Sequence, residues 1–241
     1  MKKIAVFDID GTLFRWQLYH ELVFELKNRG FFSESEALAL DTSLNSWQAK
    51  KISWREYERE VVATIEQNIT TITPKELEDA SRVVSERSGH KIYNFTAKLL
   101  AHLQGEGFYT IAVTASQQEI AEPFASRYKF DDCIAAVYER KNGAFTGKKS
   151  REIYGYKDEI IRAYATQHSD LTLDGMVAVG DSAGDISMLE LAARPIAFNP
   201  SEELLDVALE KNWQIVIERK NIAYIMESKD GSVILAQAER F

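Results

Sequence analysis

Four short apolar runs decide what this chain can fold into: Lys3–Asp8, Tyr109–Ala115, Met176–Asp181 and Pro195–Asn199, each stopping at polar or turn residues. Trp213–Glu218 is a fifth candidate of the same form. Near-continuous runs of Val, Ile and Ala lack the in–out alternation of a half-exposed strand. They read as strands buried on both faces, which means a parallel sheet covered by helices. Helical spacing fills the gaps between them. Phe95, Leu99, Leu100 and Leu103 share one face and stop before Gly105 and Gly107; Ile160, Ile161, Tyr164 and Ala165 mark a second helix; residues 186–193 form a third, closed by Pro195. Strands alternating with helices predict a Rossmann-like α/β core.

Residues 15–89 break the alternation. They hold no convincing strand, but Leu22, Val23 and Leu26 share a helical face, as do Tyr57, Val61 and Ile65. Thr73, Pro74 and Glu76 spell an N-cap, a first-turn proline and a capping-box partner. The segment therefore reads as a helical insert after the first strand, and a long insert at that place suggests a lid. The expected division is a core of residues 1–14 and 90–241 and a helical cap of residues 15–89. Tyr138–Phe145 reads as a hairpin turning at Asn142-Gly143. Ser228–Phe241 reads either as a small hairpin through Asp230-Gly231 or as a fraying end.

The first run ends in Asp8-Ile9-Asp10-Gly11-Thr12. Carboxylates at i and i+2 of an extended segment point to the same side and repel, unless a cation or proton lies between them. Mg²⁺ relieves this, because it prefers oxygen ligands and binds through one or two carboxylates plus substrate phosphate. A metal beside a free carboxylate suggests phosphoryl chemistry. Ligands of open α/β sheets lie beyond the carboxyl ends of the strands. Those ends offer Asp8, Asp10, Gly11 and Thr12, then Thr114, Ala115 and Ser116, then Gly180, Asp181, Ser182 and Asp185; Lys157 stands ahead of the helix leading to the third. Together they supply carboxylates for one cation, hydroxyl and N–H groups for a phosphate, and a compact positive charge.

Composition sets limits. Twenty-nine Lys and Arg against 37 Asp and Glu give a net charge of −8, which argues against coating a nucleic acid. The single cysteine, Cys133, rules out an internal disulfide and any Cys-based zinc site. No apolar stretch approaches spanning length and no leader-like apolar region precedes Asp8, so a cytoplasmic protein with no membrane partner is expected. Oligomeric state is not readable.

In this order the motifs resemble the haloacid dehalogenase-like phosphatase superfamily: Asp8-Ile9-Asp10-Gly11-Thr12, Thr114, Lys157, and Gly180-Asp181-Ser182-Ala183-Gly184-Asp185. Residues 142–147 and 181–189 look most like its phosphoserine-phosphatase-like subgroup, subfamily IB, and the insert looks like the C1 cap. The resemblance implies a Mg²⁺-dependent phosphatase acting on a small phosphorylated metabolite. Asp8 is then the nucleophile and Asp10 the acid and base. Asp8, the Asp10 backbone carbonyl and Asp181 hold the metal, and Asp185 supports from behind. Thr114, the Ala115 N–H, Gly11 and Lys157 meet the phosphate. Two departures stand out. Thr114-Ala115-Ser116 replaces the usual Ser-Gly-Gly, and Gln17 stands where a cap glutamate is expected to hold a substrate ammonium.

Plainer readings accompany these. Asp181 and Asp185 could cap the following helix. Lys148 and Lys149 rival Lys157, and Ser116 reads as a local turn or cap residue. Arg15, Trp16, Gln17 and His20 are candidate substrate contacts, although Trp16 and His20 could equally be packing residues of the insert. Trp47, Trp54 and Tyr57 read as the insert's core, and residues 202–206 as a solvated face. A dehalogenase would need neither Asp10 nor a metal. A receiver-like phospho-accepting module would lack the long insert, and a degenerate scaffold would have lost a catalytic position.

Overall fold

A computed structural model describes residues 1–229 and 232–241 of the chain. Its centre is a nine-stranded sheet in the order β4-β3-β2-β1-β5-β6-β7-β8-β9. The strands are β1 (Lys2–Phe7), β2 (Tyr109–Gln117), β3 (Asp132–Lys141), β4 (Ala144–Arg151), β5 (Leu171–Gly180), β6 (Arg194–Phe198), β7 (Gln214–Arg219), β8 (Ile222–Lys229) and β9 (Ser232–Arg240). Pairing is parallel from β3 through β7 and antiparallel at both margins, β3 with β4 and β7 with β8 and β9. The helices are α1 (Leu18–Asn28), α2 (Glu34–Gln48), α3 (Trp54–Asn68), α4 (Pro74–Ser88), α5 (Asn94–Gly105), α6 (Gln118–Arg127), α7 (Lys157–Gln167), α8 (Ile186–Leu191) and α9 (Glu202–Glu210).

Both faces of the central strands are buried, as their unbroken apolar character requires. Successive side chains go to opposite sides. Ala5, Phe7, Ala112, Val177, Val179, Ile196 and Phe198 join one core, shared with the helices between β1 and β2 and with α6. Ile4, Val6, Ile111, Val113, Met176, Ala178 and Ala197 join the other, with residues of α7, α8 and α9. A one-residue slip of β1 would exchange the two sets, so the register is firmly specified.

The expected strands are present with shifted ends. β2 runs on to Gln117 and leads straight into α6, which the sequence reading did not anticipate, and β5 begins at Leu171 rather than Met176. The third expected helix stops at Leu191. The insert holds four helices and no strand. The Thr73 cap is as read, with Glu76 N–H on Thr73 Oγ1 at 3.3 Å and Thr73 N–H on Glu76 Oε2 at 2.8 Å. Such a box is worth about 1 kcal/mol. Asn142 and Gly143, with φ of 53° and 81°, turn β3 into β4 as a mirror-image turn should. β8 and β9 pair as a hairpin rather than fraying, while the expected turn residues Asp230 and Gly231 lie outside the described residues.

The chain leaves and re-enters the core through two paired segments. Arg15 N–H reaches Lys91 O, Tyr93 N–H reaches Leu13 O, and Phe14 bridges Ile92. Between them the insert folds around an aromatic cluster of Trp16, His20, Trp47, Trp54 and Tyr57, its neighbouring ring centroids 5.0–5.8 Å apart. Trp47, Trp54 and Tyr57 are therefore core of the insert. No helix among the described residues is long and apolar enough to cross a membrane.

Candidate active site

β1 and β5 are parallel neighbours, so the residues that follow them emerge side by side. Asp8, whose N–H is held by Val179 O at 2.9 Å, comes next to Asp181 and Asp185. Oxygens of these three carboxylates lie within 4.8 Å of one another. Lys157, the first residue of α7, enters from below: its Nζ lies 2.7 Å from Asp8 Oδ1 and 2.5 Å from Asp185 Oδ1. All three are nearly sealed, with exposures of 4% for Lys157, 5% for Asp8 and 0% for Asp185. Lys148 and Lys149 do not compete for this place; Lys149 pairs with Glu66 and Glu152.

Asp185 does not spend its carboxylate on capping α8. Its Oδ2 accepts the N–H of Asp181 at 3.1 Å and of Ser182 at 3.0 Å, which folds the loop back and fixes Asp181. Gly180 is required there because a Cβ would overlap the Asp185 side chain. Gly11 plays the same part across the cleft. It has φ of +80°, and a Cβ on it would run into the Asp181 carboxylate.

Asp10 belongs to a second polar group. Its Oδ2 accepts the hydroxyls of Thr114 at 2.8 Å and Ser116 at 2.7 Å, and its Oδ1 accepts Leu18 N–H at the start of α1. Ser116 thus leaves its expected role as a local turn residue. The β2–β3 register breaks between Thr114 and Gln117, and Ala115 and Ser116 have no partners in that ladder. Such irregularities re-aim side chains near sites.

Burial pushes Asp8 up to about 8; Lys157 opposes the rise, and Asp185 and Asp10 add to it. Burial also raises Asp10, against the Ser116, Thr114 and Leu18 hydrogen bonds. Asp181 is raised well above the carboxylate range by burial and then by the charges of Asp8 and Asp185. For Lys157 burial disfavours the charge, but Asp185 and Asp8 outweigh it and hold the ammonium above its ordinary value. Four acids thus face one ammonium. The site is short of positive charge, its open donors are hard carboxylate oxygens, and the Gly11 cradle keeps Asp181 close, so the residues fit a divalent cation.

The insert's expected contacts divide. The Arg15 guanidinium pairs with Glu218, donates to Ile92 O at 2.6 Å and lies over the Tyr93 ring at 4.8 Å. In this structure its guanidinium is thus engaged by the buried Glu218 carboxylate. His20 is 1% exposed inside the aromatic cluster, and burial lowers it to about 3, so it is neutral packing. Trp16 packs on His20, Trp47 and Trp54. Gln17 precedes α1 without a side-chain cap bond.

Comparison with known proteins agrees with this geometry. The family profile of haloacid dehalogenase-like hydrolases matches residues 5–190. A putative hydrolase of Mycobacterium leprae is 26% identical over 217 residues, covering 88% of this chain and 71% of its own. A phosphoserine phosphatase of Mycobacterium tuberculosis is 26% identical, covering 88% of this chain and 69% of its own. A crystal structure of a protein of unknown function from Bordetella pertussis shares the fold, with a TM-score of 0.71 and 20% identity over 90% of this chain and 99% of that one. The profile spans well over half of the sequence, from the first buried strand past the last acidic loop, and by it the protein belongs to the haloacid dehalogenase-like hydrolase family.

Proposed function

We propose that the protein is a Mg²⁺-dependent phosphomonoesterase that hydrolyses a small phosphorylated metabolite through an aspartyl phosphate on Asp8. The observation that carries this reading is the Lys157 ammonium held between Asp8 and Asp185, with Asp10 kept apart by its own hydroxyl donors. Asp8 Oδ1 is engaged by Lys157, which leaves its other oxygen to attack phosphorus in line. As the ester P–O bond breaks, Asp10 gives its proton to the departing alkoxide. The proton affinity that burial lends Asp10 suits that duty. Asp10 then takes a proton from water as the water attacks phosphorus, and the P–O bond to Asp8 breaks to release phosphate.

Asp8, the Asp10 backbone carbonyl and Asp181 would hold the metal. Bound there, Mg²⁺ supplies positive charge to the phosphoryl oxygens. Lys157 steadies Asp8 against the incoming phosphate as a point charge. Thr114, Gly11 and the Ala115 N–H border the place where phosphate oxygens would lie. The insert, residues 15–89, serves as a lid that excludes water. Relatives include phosphoserine phosphatases, but Gln17 and Thr114-Ala115-Ser116 depart from the pattern expected of that substrate.

The test is phosphate release from a panel of phosphomonoesters with Mg²⁺, beside intact-protein mass. Turnover by the wild type, a gain of one phosphoryl group trapped in Asp10→Asn, and neither in Asp8→Asn are expected. A folded protein that hydrolyses no ester, or an Asp8→Asn variant of normal rate, would remove the reading.

A further inference from the structure

Helix α3 is anchored near both ends to core elements that lie on either side of β1. Near its C-terminal end Glu66 pairs with Lys149 of β4 at 2.9 Å; near its N-terminal end Arg55 pairs with Glu203 of α9 at 2.8 Å. In the sheet, β1 and its acids lie between those two anchors, because β4 is one margin and α9 follows β6 on the other side of β1. The start of α9 is itself tied to the site, with Ser201 N–H on Asp181 O at 2.8 Å. A helix of 15 residues is roughly 22 Å long, enough to reach across the intervening strands.

Tyr57, Val61, Thr64 and Ile65 bury one face of α3 in the insert, and the line beside that face carries further contacts. Trp54 meets Trp16 at 5.5 Å, Val62 O accepts the Tyr19 hydroxyl at 3.5 Å, and Glu66 makes the β4 pair. Trp16 and Tyr19 flank Leu18, whose N–H holds Asp10. Glu58 is the fourth member of this i, i+4 line, between Trp54 and Val62. It is half-buried, and among the described residues no hydrogen bond or ion pair engages its carboxylate. Burial, followed by the negative charge of Asp10, raises Glu58, with Arg55 opposing.

We propose that Glu58 is the specificity-determining residue of the lid, selecting phosphate monoesters that carry a cationic amine and lack a carboxylate. This rests on the phosphatase reading above. A half-buried carboxylate without a partner, set between the α3 residues that meet Trp16 and Tyr19 on either side of Leu18, can give a substrate ammonium a charge-assisted hydrogen bond. A substrate carboxylate finds the opposite field. Asp8, Asp10, Asp181 and Glu58 are all acidic, Lys157 is committed to Asp8 and Asp185, and Arg55 is held by Glu203.

The experiment compares kcat/KM of the Mg²⁺-loaded protein on phosphoethanolamine, phosphocholine, O-phosphoserine, glycerol phosphate and p-nitrophenyl phosphate. The amine esters are expected to exceed glycerol phosphate by roughly ten- to a hundredfold, the range of a charge-assisted contact, and to exceed phosphoserine. Glu58→Gln should erase that ratio through the KM of the amine esters, Glu58→Asp should keep its direction, and Glu58→Lys should invert it toward acidic esters. A misfolded variant would lose all substrates together; the wild-type ranking and Glu58→Asp then decide. Equal or better use of glycerol phosphate or phosphoserine by the wild type overturns the proposal and leaves the phosphatase reading standing. So does an amine preference that survives Glu58→Gln. Failure on every ester, p-nitrophenyl phosphate included, overturns both.

Discussion

Ser116 donates its hydroxyl to Asp10 Oδ2 at 2.7 Å, although 106 positions separate the two in sequence. Hydrogen bonds to a carboxylate favour its charged form, so this one lowers the proton affinity of Asp10 against the pull of burial. Ser116→Ala should therefore raise the Asp10 pKa further. Hydrolysis of the phospho-enzyme needs Asp10 deprotonated, so the acidic limb of the kcat–pH profile should move to higher pH. p-Nitrophenyl phosphate isolates this step, since its leaving group needs no proton from Asp10. Superimposable profiles for wild type and variant would deny Ser116 the role.

Lys157→Met is expected to be costly to the fold as well as to activity. It would leave Asp8 and Asp185 buried with no counter-charge, a situation worth about 3–5 kcal/mol. Urea unfolding should show a lower midpoint at unchanged slope. Because the deficit is one of charge, Mg²⁺ should recover more stability in the variant than in the wild type. An unfolding midpoint within experimental scatter of the wild type would mean that Lys157 is not the site's main counter-ion.

What the sequence made legible, and what it hid, follows the same division. Asp8, Lys157 and Asp181 stand at the ends of strands buried on both faces or at the start of a helix, so local pattern alone located them. Ser116 was hidden because its direction comes from a register break against β3. The Arg15 pairing was hidden for a similar reason. Its partner Glu218 lies 203 positions away, and no spacing rule announces a pair of that separation. Glu58 carried no motif at all. It becomes visible only once Arg55 and Glu66 fix both ends of α3 on the core.

Arg15→Met separates these two readings of Arg15. A substrate contact would raise KM and leave stability untouched. The structure instead pairs Arg15 with Glu218, whose carboxylate also accepts the N–H groups of Asn94 at 3.1 Å and Phe95 at 2.8 Å at the start of α5. Losing the cation from that network should cost about 1–3 kcal/mol, seen as a lower melting temperature with KM changed less than about twofold.

Stability without metal should also depend on pH with a defined sign. Asp8 has its pKa raised from 3.8 to about 8, and Asp10 and Asp181 are raised as well. Between the unfolded and folded values the native state binds more protons than the unfolded chain, so stability falls as pH rises through that window. The metal-free protein should therefore be less stable near pH 8 than near pH 5, through these groups. A divalent cation bound by the same carboxylates competes with their protons. Saturating Mg²⁺ should thus stabilise the protein most at the alkaline end, by about 2.7 kcal/mol at a hundred times its Kd, and little near pH 5. Thermal unfolding in EDTA and in Mg²⁺ at both pH values measures this directly. Equal Mg²⁺ stabilisation at the two pH values, or none at either, would mean that Asp8 and Asp181 do not share a cation.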